Sequence, residues 1–121
     1  MYQLMGLDML LLSTKGRKTG ELRQTPLLFI EEGGNYYCVA SFGGNDRHPD
    51  WFLNILAEPR VQLTVKQKNL NAIATEISGQ ERESMWEKLT GYYPNFNSYQ
   101  DSTTRIIPVI KFNPTKLDIP I

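Results

Sequence analysis

The 121-residue chain carries a single cysteine, Cys38, and a single histidine, His48. One cysteine cannot close an intramolecular disulfide, so a reducing, cytoplasmic compartment is expected, with Cys38 serving as a small buried hydrophobe. One histidine with no cysteine partner excludes a Cys/His zinc site, and no cluster of carboxylates recommends another metal. A bilayer span needs roughly 20 apolar residues; the longest run near the N-terminus is residues 9–12, with no signal-peptide pattern before it, so stable membrane insertion is not expected. An excess of positive charge is missing too. Thirteen Lys plus Arg balance thirteen Asp plus Glu, which argues against nucleic-acid binding and means that any anion site must be local. No repeat, low-complexity tract or linker divides residues 1–121, which are expected to form one domain.

What is present is a folding balance of 40% hydrophobic and 21% charged residues, with the apolar runs kept short by single Gly and Pro residues. Residues 8–14, the turn 15–20 (KGRKTG) and residues 23–30 (RQTPLLFI) predict strand, turn and strand. Gly33, Gly34 and Asn35 lead into a third strand over 36–41 (YYCVAS). Pro49 is placed as the first residue of a helix that runs to Ala57 and is stopped by Glu58 and Pro59. Val61, Leu63 and Val65 alternate with polar neighbours, predicting a half-buried strand over 60–65 that pairs with 70–77 through the turn 66–69. Ser78 and Glu81 have capping-box spacing ahead of a helix over 79–90, with Gly91 as its left-handed end. Residues 92–104 read as a loop and 106–112 (IIPVIKF) as a last strand, with Pro108 at an edge or bulge. About six antiparallel strands arriving mainly as hairpins, with two to three helices, predict a mainly β (α+β) barrel rather than a doubly wound sheet.

Three groups of residues carry potential chemistry. Lys15, Arg17, Lys18 and Arg23 are spaced by Gly16, Thr19 and Gly20 and followed by Thr25. Glycines let backbone N–H groups turn inward while the cations supply charge-assisted bonds to phosphate or carboxylate, although a solvated hairpin turn has the same composition. Ser41, Phe42, Gly43 and Gly44 end a strand and lead to the proline-started helix, where a flat ligand can approach the backbone; a tight strand-to-helix connection looks alike. Tyr92, Tyr93, Phe96 and Tyr99 lie in a polar segment and suit either a pocket wall bearing hydroxyls or a cover over one end of the barrel. His48, just before Pro49, is expected to cap or pack, and Trp51 and Trp86 to sit in core or interface. No Ser/His/Asp or Cys/His grouping is present.

The runs LLLSTKGRKTGELRQTPLLFI, YYCVASFGGNDRHPDWFLNILAEPRVQLTV and YPNFNSYQDSTTRIIPVIKFNP occur in one order across residues 10–114. They resemble the deazaflavin-dependent nitroreductase family, F420H2-dependent oxidoreductases with the split β-barrel, FMN-binding-like fold. The resemblance implies that Arg23, Thr25 and Pro26, with Lys15, Arg17 and Lys18 in support, hold the phosphate and acidic tail of coenzyme F420. It places Ser41, Phe42, Gly43 and Gly44 along the deazaflavin ring, Arg47 at a phosphate contact, and Trp51 and Asn54 on the cofactor-facing helix. Tyr93, Phe96 and Tyr99 match the substrate pocket, with Phe96 standing where some members have tyrosine. Ser41 and Tyr99 are the expected catalytic donors to a small-molecule electron acceptor: a quinone, an enone or a nitroaromatic compound. The resemblance implies that members active on quinones or nitroaromatic compounds carry an additional N-terminal segment, helical and partly apolar, that helps cover the substrate site; here the first strand is expected to begin almost at once, which bears on the substrate and on membrane contact more than on the cofactor cradle. The expected assembly is a homodimer. Two alternatives are an FMN-dependent oxidoreductase of the same fold and a non-catalytic protein that binds a flavin or tetrapyrrole.

Overall fold

A computed structural model describes residues 2–4 and 7–115 of the chain. Its strands are β1 (Tyr2–Leu4), β2 (Leu7–Lys15), β3 (Leu22–Leu28), β4 (Ile30–Glu32), β5 (Asn35–Val39), β6 (Arg60–Val65), β7 (Lys68–Glu76) and β8 (Val109–Pro114). The helices are α1 (Asp50–Ala57), α2 (Gly79–Tyr92) and α3 (Asn95–Asp101), and a single short turn of helix covers Phe42–Gly44.

Every strand pairing is antiparallel. Strand β3 occupies one edge of β2 from Met9 to Lys15, so β1 and β6 share the other. From β2 the sheet continues through β6, β7, β8 and β5 to β4. Its two ends, β3 and β4, are separated in sequence by the buried Phe29 alone. The first and last strands of the sheet are therefore one bent segment, and this closes the twisted sheet into a split barrel.

The two-residue period sorts side chains between two cores. Leu10, Leu12, Cys38, Leu63, Ala72, Ile110 and Phe112 point into the barrel, where Trp51, Phe52 and Ile55 of α1 plug one end. On the outer face Tyr37, Val39 and Val109 pack against Met85 and Leu89 of α2, Tyr93 beyond its end, and Phe96 of α3.

Several local expectations give way to tertiary packing. The predicted strand 23–30 breaks at Phe29, whose ring is needed inside the barrel. The last strand starts at Val109 rather than 106: Pro108 sends its carbonyl to the Ala40 N–H (2.9 Å), and Ile106 is 74% exposed. The predicted loop 92–104 contains α3, because Tyr93, Phe96 and Tyr99 share one packed face. Among the described residues there are eight strands where about six were expected, β1 being too short for periodicity to reveal. Pro49 caps α1 from outside it, with its carbonyl accepting from Phe52 N–H (3.1 Å). Ser78 makes no side-chain cap, and the Glu81 carboxylate accepts from Tyr37 (3.4 Å) and Lys111 (3.2 Å) rather than from the cap backbone. Gly91 lies within α2, which ends where Tyr93 turns away to extended backbone.

Candidate cofactor and substrate site

The basic turn after β2 is closed by two backbone bonds, Gly16 N–H to Glu21 O (2.7 Å) and Gly20 N–H to Gly16 O (2.8 Å). Gly20 takes a φ of +76°, open to glycine and costly for other residues. The turn is fastened to α1 through Asn54, which is only 4% exposed. Asn54 Oδ1 accepts from Arg17 N–H (3.2 Å) and Arg17 Nη1 (2.9 Å), while its Nδ2 donates to the buried Thr14 hydroxyl (3.4 Å). Arg17 Nη2 also reaches Asp50 Oδ1 at 3.4 Å. Arg17 is thus aimed before any ligand arrives.

Above the turn lies a cavity of about 570 Å³, bordered by the cations Arg17, Lys18 and Arg23, by Thr25, and by Asp50, Trp51 and Asn54 of α1. Three cations face one carboxylate, so the local field is positive although the whole chain is neutral. The surface pair of Arg23 with Glu21 (3.4 Å) is solvated on both sides and leaves the guanidinium available.

A second cavity, of about 180 Å³, is bordered by Pro26, Ser41, Gly43, Tyr93, Phe96 and Tyr99. Its aromatic wall is tightly made: Phe96 meets Tyr93 edge-on at 4.9 Å and Tyr99 at 6.2 Å. The Tyr93 and Tyr99 hydroxyls lie 3.3 Å apart, and Asn95 Nδ2 donates to Tyr93 at 3.0 Å. The bond to Tyr93 and then burial hold the Tyr99 hydroxyl above its ordinary pKa, so it keeps its proton at neutral pH and can act as a donor. Ser41 and Gly43 border the same cavity from the Phe42–Gly44 turn, whose φ values are +47°, +63° and +81°. A Cβ at Gly44 would sit 2.9 Å from the Tyr99 carbonyl oxygen, so only glycine lets this turn lie on α3. The two cavities follow one another along β3: Gln24 and Thr25 open to the first, Pro26 to Leu28 to the second.

Of the residues expected from the sequence, Arg17, Lys18, Arg23, Thr25, Trp51 and Asn54 surround the cationic cavity, and Pro26, Ser41, Gly43, Tyr93, Phe96 and Tyr99 the aromatic one. Four lie elsewhere. Lys15 borders neither cavity: its Cε lies 3.8 Å from where a Cβ on Gly20 would sit, and its charge adds to the pull, mainly from Arg60, that brings the Glu58 carboxyl down to about 2. The Phe42 side chain is 52% exposed and borders neither cavity. Gly44 is buried under α3, and Arg47 is exposed, with its N–H on Asn45 Oδ1 (2.9 Å). His48 packs on Phe52 with ring centres 4.8 Å apart, as expected of a packing residue. Sequence reasoning passed over Asp50, Asn95 and Arg105. Asp50 was legible from its place directly after Pro49; the other two carry no periodic or motif signal.

Among the described residues no group of His, Cys, Asp or Glu is arranged to hold a metal, and no helix is long and apolar enough to cross a membrane.

Fold and cavities together define a barrel with a cationic cavity and an aromatic one beside the same strand, a division of polar and apolar groups suited to the cofactor sites of oxidoreductases. Residues 1–114 match the F420H(2)-dependent quinone reductase family, and the chain belongs to it. The chain is 35% identical over 104 residues to the F420H(2)-dependent quinone reductase Rv1261c of Mycobacterium tuberculosis, spanning 84% of this chain and 70% of that protein. A solved structure described as an F420-H2 dependent reductase, FDR-A, superposes with a TM-score of 0.80 at 40% identity, over 87% of this chain and 93% of the other. Another, described as a domain-swapped dimer, gives 0.81 at 40% identity over 87% and 79%. These matches carry the same coenzyme and barrel that the three sequence motifs imply, with quinone rather than nitroaromatic compounds in the family description.

Proposed function

We propose that this chain reduces a quinone with coenzyme F420H2, bound along β3 with its acidic tail in the cationic cavity and its ring in the aromatic one. The observation that carries this is the succession of a cationic and an aromatic cavity along one strand, β3, with Arg17 already oriented by Asn54. The residues present fit the coenzyme: three cations suit a phosphate and acidic tail, and the turn at Gly43 admits a planar ring. When bound, the coenzyme supplies the hydride that, with a proton from water, turns the quinone into a hydroquinone.

The chain's own residues bind, orient and shield. Arg17, Lys18 and Arg23 neutralise the anionic tail. Tyr93 and Phe96 form an apolar wall that keeps water from the reacting face. Ser41 and Tyr99 border the same cavity and offer hydroxyl protons where negative charge gathers on the acceptor oxygen. FMN offers a single phosphate to the same cations, and the spread of Arg17, Lys18 and Arg23 around about 570 Å³ favours the longer tail of F420. Enones and nitroaromatic compounds are secondary acceptors for the same wall. A homodimer is supported by the outer edge of β3, which pairs with no strand among the described residues and has Leu22 53% exposed, and by the relative described as a domain-swapped dimer. The lone buried Cys38 is consistent with a cytoplasmic protein.

Anaerobic turnover of F420H2 with a soluble naphthoquinone, followed by the return of oxidised-deazaflavin absorbance, tests this reading. The S41A/Y99F double variant is expected to lose about 100-fold in kcat while still binding F420. Full turnover by that variant removes both hydroxyls from the mechanism, and binding of FMN but not F420 replaces the coenzyme.

A further inference from the structure

Arg105 lies between α3 and β8 and directs its guanidinium at a single stretch of backbone. Nε donates to the Asn45 carbonyl (2.8 Å), Nη2 to the carbonyls of Ser41 (2.8 Å) and Ala40 (3.3 Å), and Nη1 to Ala40 (3.3 Å). Nη1 also lies 3.1 Å from His48 Nδ1. Because arginine has no lone pair to offer, Nδ1 is the acceptor, and His48 is neutral with its proton on Nε2.

Arg105 is itself held by α3. Gln100 Nε2 donates to the Arg105 carbonyl (2.7 Å), and Gln100 Oε1 accepts from Ile107 N–H (3.0 Å). Beside it, the Thr103 hydroxyl donates to Asp46 Oδ1 (2.8 Å). The stretch so gripped is the one that needs a grip. Phe42, with a φ of +47°, holds a conformation that L side chains disfavour, and its exposed ring finds little packing in return. Such a conformation persists only where the surroundings over-determine it. Gly44 pressed on the Tyr99 backbone fixes one end of the turn, and Arg105 fixes the carbonyls on both sides of it.

We infer that Arg105 is a positioning residue: it locks the Phe42–Gly44 turn onto α3, so that Ser41 and Gly43 keep the spacing from Tyr99 that a planar ring requires. The identity of that ring rests on the function proposed above, whereas the lock does not. Arginine is needed because its planar fork spans three carbonyls and an imidazole at once, which the single ammonium of lysine cannot do.

The experiment uses the full chain as wild type, R105A and R105K. Amide hydrogen exchange over residues 40–46, without ligand, reads the lock. F420 fluorescence titration reads affinity, and turnover of F420H2 with a soluble naphthoquinone separates kcat from KM. In R105A, exchange over this stretch is expected to quicken by about tenfold while the barrel strands stay protected. F420 is expected to bind about tenfold more weakly and kcat to fall by about 100-fold, more than the quinone KM rises, as small misplacements near the chemistry do. R105K, with one donor cluster, is expected to recover part of the affinity and protection, and it stands in for R105A if the alanine variant does not fold. Unchanged exchange over 40–46 overturns the lock. Quicker exchange with F420 affinity and kcat intact overturns the positioning role. A wild-type chain that binds no F420 overturns the functional reading and the ring's identity with it.

Discussion

Replacing Asn54 by alanine removes the joint between the basic turn and α1. The loss comprises one neutral bond from Arg17 N–H, one charge-assisted bond from Arg17 Nη1, and the partner of a Thr14 hydroxyl on a residue only 1% exposed. A neutral bond contributes about 1 kcal/mol, a charged one about 2, and an orphaned buried hydroxyl costs about 1 to 3. The Arg17 side chain is 25% exposed and recovers part of its loss from water. N54A is therefore expected to lose about 3 to 5 kcal/mol of stability, read as a lower urea midpoint at unchanged m value. Because Asn54 is argued to act on the ligand by aiming Arg17, the two losses in F420 affinity should not add: N54A/R17A should bind no more weakly than R17A alone. A stability loss under about 0.5 kcal/mol, within the range of ordinary surface substitutions, would refute the joint. Fully additive binding losses would show that Asn54 meets the ligand independently.

Two further expectations concern the turn and its neighbour. Gly44→Ala meets the Tyr99 backbone at 2.9 Å in a left-handed conformation and should cost about 2 to 4 kcal/mol, while Gly43→Ala, left-handed but with open space around it, should cost only about 1; thermal melts of both variants separate the steric cause from the conformational one. Burial, and then the Arg105 charge, hold the His48 pKa below its ordinary 6.5, with Glu76 opposing. The unfolded chain then binds more protons than the folded one as pH falls from 6.5 through the folded value, so stability should be level above 6.5 and decline below it. Urea melts from pH 5 to 8 should show this slope in wild type and a flatter one in H48Q; an identical slope in both assigns the acid sensitivity to other groups.

Much of the architecture was legible because strands announce themselves locally. Val61, Leu63 and Val65 alternate, and β6 runs from Arg60 to Val65 as expected. Helix α1 ends at Ala57, where Glu58 and Pro59 stop it. The misplaced features depend on distant partners: Glu81 left its capping role for Tyr37 and Lys111, and α3 formed on a face buried by other elements. The basic turn and the paired glycines were visible as composition, but Lys15 and Arg47 show that charge near a site does not place a side chain in it.

The sequence by itself determined where most of the strands run, which turn is cationic, and which family the chain joins, because period, turn chemistry and motif order are short-range properties. The tertiary structure alone decided that Asn54 would aim Arg17 across 37 positions and that Arg105 would grip Ser41 across 64. Those bonds exist only once β3 and β4 close the barrel, and nothing in the local chain names the partners these two arginines take.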